Sequence, residues 1–219
     1  MENERTMSCA ICETRRPRRP CPGLRSDICA VCCGTSREVS VRCPLECAYL
    51  QEARKYEKPP ERDPESLPNK DVEIPERFLN DNGQLFGFTC QALVRIALGS
   101  AGVVDKDVRE ALDSLTKTFR TMESGLIYET RPANLLAAAI QQQLRDELDG
   151  LRKHMKERLG METVRDSDVL GVLILLQRTE FARGNDRPLG RAFIDFLCQE
   201  FPVTPAAGQP GSSGLIIPG

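Results

Sequence analysis

Tryptophan is absent from the 219 residues, histidine occurs once, and aromatic residues make up only 5% of the chain. Few aromatic faces leave little on which to stack nucleobases; the first third of the chain offers only Tyr49 and Tyr56. The single histidine, His154, lies in the charged run "RKHMKER" and reads as a solvated surface residue. A catalytic zinc, which keeps an open position and usually has histidine among its ligands, therefore has no ligand set here. Long apolar runs are missing too. The longest, "VLGVLILL" at 169–176, is far short of the roughly 20 residues a membrane span needs. The opening "MENERTMSCAICE" carries charge but no apolar export segment, which predicts a soluble cytoplasmic chain with no membrane role. No glycine-rich phosphate loop follows a strand, no serine sits in an elbow motif and no nucleophile stands beside a base. Asp146, Glu147 and Asp149 fall on the outside of a helical stripe and read as solvated. The sequence thus predicts a protein that is not an enzyme.

Cysteine, by contrast, is abundant and concentrated. Eight of the ten lie between Cys9 and Cys47, while Cys90 and Cys198 sit alone in apolar helical patterns and read as core residues. In a reducing compartment this clustering favours metal ligation over disulfides. The set runs Cys9-x2-Cys12-x8-Cys21-x7-Cys29-x2-Cys32-Cys33-x9-Cys43-x3-Cys47, with a repeat of "CAIC" and "CAVC". A C-x2-C pair in a tight turn converges two thiolates on one ion. The last pair, in "CPLECAYLQEARKYEK", is expected to open a helix with Cys43 as its cap and Pro44 at the first helical position. That places two thiolates at the positive helix end. Gly34 permits a turn, and "REVSVR" alternates as one short strand.

Eight thiols divide into two tetrahedral four-thiolate sites, for which zinc is the expected ion. Iron–sulfur runs carry a closer group of three cysteines, which is missing here. Because the side chains of adjacent Cys32 and Cys33 diverge, each is assigned to a different ion. The preferred division is Cys9, Cys12, Cys29 and Cys32 on one zinc and Cys21, Cys33, Cys43 and Cys47 on the other. Pairing the first knuckle with the helical pair is the alternative. Metal replaces a missing core, since Ile11, Leu24, Ile28, Val39, Val41 and Leu45 are too few to offset the ordering of about 45 residues.

A knuckle, a turn, a strand and a helix supplying the last two ligands resemble the treble-clef and cross-brace two-zinc fingers, such as MYND-like modules, over residues 9–50. The "CCGTSR" and "CPLEC" segments are also similar to the heads of bacterial zinc-finger proteins. The chain departs from that pattern in lacking a histidine ligand and in the adjacent Cys32-Cys33 pair. The resemblance implies a structural metal that organises a surface for protein or nucleic acid.

Net charge is −2, but residues 1–58 hold 11 Lys and Arg against 8 Asp and Glu, and the remainder 19 against 24. Arg15, Arg16, Arg18, Arg19 and Arg25 give one reading, a footprint on a phosphate backbone. Compensation of two dianionic thiolate clusters by these arginines, with Arg37 and Arg42, is the other reading. A protein partner is the leading expectation and nucleic acid the alternative.

Beyond this head (1–58), the Pro-rich connector 59–77 is expected to be an extended, poorly packed spacer. Residues 78–202 read as a bundle of five helices, near 82–98, 106–123, 132–160, 168–182 and 188–200, giving a mainly α fold. Asp105 is the expected cap of the second and Pro132 the first residue of the third. The third, about 42 Å long at 1.5 Å per residue, either projects as half of a coiled coil with a second copy of the chain or is divided by Gly150. The fourth, apolar on more than one side, is the expected central helix. Residues 203–219 read as a flexible tail whose "LII" segment is a short apolar patch.

Overall fold

Five helices pack together because each carries an apolar stripe that only its neighbours can cover. They are α3 (Phe78–Gly99), α4 (Asp105–Glu123), α5 (Leu135–Leu159), α6 (Asp166–Arg183) and α7 (Ala192–Glu200). The head contributes an antiparallel pair, β1 (Arg19–Cys21) and β2 (Ser26–Ile28), and two short helices, α1 (Ala30–Ser36) and α2 (Ala48–Arg54). The computed structural model describes residues 8–126, 128–161 and 164–203, so nearly all of the expected C-terminal tail, including its apolar patch, lies outside the described residues. The chain is mainly helical, with only this two-stranded sheet among those residues.

Helix α6 is the centre of the body, as its apolarity on more than one side predicts. Val169, Val172, Leu173, Ile174 and Leu176 are all at most 1% exposed, and the helix packs on α3, α4 and α7. Gly171 lets α3 approach closely, since a Cβ there would lie 2.4 Å from the Phe78 ring. Helix α5 runs unbroken through Gly150 and seals α3 and α4 with Ala137, Ile140, Leu144 and Leu148. It starts three residues later than Pro132, because the Asn134 side chain accepts from the Leu136 and Ala137 amides and so caps it. Its last turns face solvent, with Leu159 exposed. No helix among the described residues is long and apolar enough to cross a membrane.

Asp105 departs from its expected role in an informative way. Val104 occupies the cap position of α4, and the Asp105 carboxylate turns away to accept from the amides of Phe193 and Ile194, at 2.9 and 3.1 Å. It thereby caps the start of α7, a different helix. Burial pushes its carboxyl up to about 7 despite those two amide hydrogen bonds. A carboxyl held above its unfolded value contributes stability that is complete below about 4 and is lost as pH rises through about 7. Relative to Asp105→Asn, the wild type should therefore lose roughly 2–3 kcal/mol between pH 5 and pH 8. Urea titration of both proteins at each pH measures this difference, in which metal loss common to both cancels. A difference independent of pH would show that Asp105 is ionised throughout.

The connector is not the loose spacer expected from its prolines. Arg178 of α6 donates to the carbonyls of Pro68, Asn69 and Val72, and Asn69 donates to Gln177 at 2.7 Å. Arg120 grips Asp71 through two bonds of 2.9 and 3.0 Å, Arg62 pairs with Asp186, and Val72 and Ile74 pack on the core. A Pro-rich segment lacks backbone donors but keeps its carbonyls, and the half-buried Arg178 guanidinium collects three of these, one from a proline. The connector is strapped to the body.

Candidate metal centre

The first site grows from two short turns and one hairpin. The Cys9 carbonyl accepts from the Glu13 amide at 2.8 Å, which closes the first knuckle, and Glu13 takes the left-handed conformation there (φ 55°). The second knuckle is the start of α1: Cys29 caps it, its sulfur accepting from the Cys32 amide at 3.4 Å. The β1–β2 pair brings the knuckles together, aided by the Ala10 amide bonding to the Asp27 carbonyl and the Cys29 amide to the Cys9 sulfur, at 3.1 and 3.2 Å. As a result the sulfurs of Cys9, Cys12, Cys29 and Cys32 all lie within 4.8 Å of one another. Four thiolates 2.3 Å from one ion would stand about 3.8 Å apart, so this cage fits a tetrahedral zinc.

The electrostatics fit a cation as well. Burial opposes ionisation of Cys9, yet the amides of Cys12, Cys29 and Ile11 outweigh it and hold the thiol below its usual range. Hydrogen bonds from the Thr14 side chain and from the Thr14 and Arg15 amides bring Cys12 down to about 5. Cys32 is pushed up to about 12, chiefly by burial and then by sharing hydrogen bonds with Cys29, Cys12 and Cys9. Without a metal the fourth thiol resists ionisation beside the others. A divalent ion removes that penalty.

Cys21, Cys33, Cys43 and Cys47 are placed differently. Among the described residues, no three of them converge as the first set does. All four nonetheless line one small space of about 10 Å³, together with Cys32 of the first set and residues that include Ile28, Val41 and Leu50. Cys21, Cys43 and Cys47 are buried, and Cys33, half-buried, has the Arg37 guanidinium 3.9 Å from its sulfur. Burial pushes the Cys43 thiol up, against a hydrogen bond from the Glu38 amide, with the charges of Cys47, Glu38 and Cys21 adding to the rise. Cys90 is buried in the body core and Cys198 packs against it.

Three local expectations are corrected. Gly34 lies inside α1 and makes no turn. "REVSVR" is a turn in which the Ser36 carbonyl accepts from the Val39, Ser40 and Val41 amides, leaving one bridge between Arg37 and Val41. Helix α2 begins after Cys47, not Cys43. Pro44 opens a turn closed by the Cys47 amide, and the bend delivers Leu45 into the core of the body.

The arginines divide. Arg15 is held more firmly protonated by hydrogen bonding to Cys29 and by the charges of Cys12 and Cys29, and Arg19 lies over the Tyr49 ring at 4.7 Å. Arg16, Arg18 and Arg25 are exposed.

Sequence reasoning missed the junction between finger and body. Glu38, wholly buried, accepts from Arg54 at 2.7 Å, from Asn185 at 2.9 Å and from the Arg191 amide at 3.0 Å. Arg54 also holds Asp195 at 2.9 Å and the Arg191 carbonyl at 3.2 Å. Gly102, at φ 86°, makes room for the Arg42 guanidinium, which would stand 2.3 Å from a Cβ there. One acidic residue in a polar stretch carries no sequence signal of such burial.

No protein-family model, curated protein or solved structure matches the chain.

Proposed function

We propose that the protein is a non-enzymatic cytoplasmic adaptor whose eight clustered cysteines hold two structural zinc ions in a treble-clef or cross-brace arrangement of MYND-like type, presenting a surface to a protein partner. The observation that carries this reading is the closed four-thiol cage of Cys9, Cys12, Cys29 and Cys32. Four thiolates fill the tetrahedral shell of zinc and leave no position for substrate. The second ion would sit among Cys21, Cys33, Cys43 and Cys47, whose lining of one shared space supports it. A broad groove of about 1330 Å³ between the hairpin and α2 is lined by Pro17, Pro20, Tyr49 and the carboxylates of Glu13, Asp27 and Glu46. Its acidic lining, with Arg25 as the opposing charge, suits an extended basic segment of a protein. The solvent-facing end of α5, with Leu159 exposed, supports self-association through the long helix.

A second reading, nucleic-acid binding, is favoured by the exposure of Arg16, Arg18 and Arg25 around the hairpin. Elemental analysis and salt titration of the full chain test these readings together. Two zinc ions per chain are expected, falling to one in Cys47→Ser. Binding to a mixed-sequence RNA or DNA duplex should be absent at 50 mM salt. Tight binding there that weakens about a thousandfold or more by 200 mM would favour the nucleic-acid reading instead.

A further inference from the structure

The two thiol sets stand in different relations to the helical body. Among the described residues, every hydrogen bond or ion pair that crosses from finger to body arises from Glu38, Gln51, Arg54 or Glu57. Leu45 adds the apolar contact. All of these lie in the loop and helix that Cys33, Cys43 and Cys47 punctuate, except Glu57, three residues past the end of α2. Residues 8–32, which build the first cage, contribute none.

From this division we propose that the metal at the second thiol set is what fastens the finger to the body, so that its loading governs whether the two are joined. The inference rests on the two-zinc reading above. Glu38 stands midway between Cys33 and Cys43 and holds the left-handed conformation (φ 54°), which a non-glycine residue adopts only when its surroundings impose it. Its amide bonds to the Val41 carbonyl, the same carbonyl that lies 3.7 Å from the Cys43 sulfur. Cys47 caps α2, which carries Gln51 and Arg54 on its next two turns. Drawing Cys33, Cys43 and Cys47 to one ion therefore fixes loop and helix in the relation that meets Arg54 with Glu38 and Asp195. Unfixed, the two segments would have to bury three charged groups in register with the burial of Leu45 as the apolar gain in return.

Two amides report the junction directly. Leu189 donates to the Glu38 carbonyl at 2.8 Å and Arg191 to the Glu38 carboxylate at 3.0 Å. Phe193 and Ile194, held by Asp105 within the body, are internal controls. Hydrogen exchange of these four amides, with zinc content, is measured on the full zinc-loaded chain and on Cys43→Ser, Cys12→Ser and Glu38→Gln. Cys43→Ser is expected to lose one zinc and to exchange at Leu189 and Arg191 at least tenfold faster, with Phe193 and Ile194 unchanged. Cys12→Ser should lose the other zinc without that acceleration. Glu38→Gln should keep both ions and still release Arg191. If Cys43→Ser loses an ion and all four amides keep their rates, the junction is independent of the metal and the inference fails while the two-zinc reading stands. Unchanged zinc content in Cys43→Ser overturns that reading itself. Equal release of Leu189 and Arg191 in Cys12→Ser overturns the assignment to the second set.

Discussion

Chelation of the metal is expected to unfold the finger and leave the body folded. Among the described residues, the cluster around the eight cysteines holds only three sizeable buried aliphatic side chains, Ile28, Val41 and Leu50, with Tyr49 packed against them. Ordering each residue costs about 1–2 kcal/mol of backbone entropy, which three such side chains at roughly 1.5–3 kcal/mol apiece cannot offset. A structural zinc contributes about 10–16 kcal/mol in small fingers, more than any other single term available here. The body needs no such help: Leu93, Leu112, Leu115, Leu144, Leu148, Leu173, Leu176 and Phe193 are all at most 1% exposed in one continuous cluster. Treatment with a high-affinity chelator, followed by amide spectra and far-ultraviolet circular dichroism, should collapse the dispersion of residues 9–50. The helical signal should lose only the share of α1 and α2, seven residues each. Persistence of dispersed finger resonances in metal-free protein would show that the segment is ordered by something other than metal.

Replacing Arg54 by methionine should be the most costly single substitution outside the apolar core and the clustered cysteines. Its side chain is 12% exposed, and its guanidinium stands between Glu38, at 0%, and Asp195, at 7%. Methionine keeps much of the stem volume but takes the shared cation from two buried carboxylates, a loss of about 3–5 kcal/mol when one partner of a buried pair is removed. Arg54→Lys should recover little, because an ammonium cannot span two carboxylates and the Arg191 carbonyl as a planar fork does. Adding Glu38→Gln to Arg54→Met should restore part of the loss by removing one stranded charge. Urea midpoints of the three variants decide the matter. A cost below about 1 kcal/mol for Arg54→Met would place this pair with ordinary surface ion pairs.

Several features were legible because they depend on local spacing. The "CAIC" and "CAVC" repeats name the four thiols that the structure gathers, since each turn sets two sulfurs on one side and the hairpin between them needs only a few residues. The five helices followed from apolar periodicity, and α6 was readable as central because it is apolar on more than one side. Boundaries were less legible. The start of α5 depends on the Asn134 side chain, and that of α2 on where Leu45 finds its core. The connector read as loose because proline content describes the donors it lacks and says nothing of a distant arginine ready to take its carbonyls.

By itself, the sequence determined that the two C-x2-C knuckles of the head meet and that the rest packs as helices, because thiol spacing and apolar period are properties of neighbouring residues. Only the tertiary structure decided which charges are buried. Glu38 and the amide it captures at Arg191 are 153 residues apart, and Asp105 caps a helix 88 residues further on. Burial is the sum of contacts from remote parts of the chain, so a glutamate in "SREVS" and an aspartate in "VVDKD" look like any solvated carboxylate until the fold closes over them.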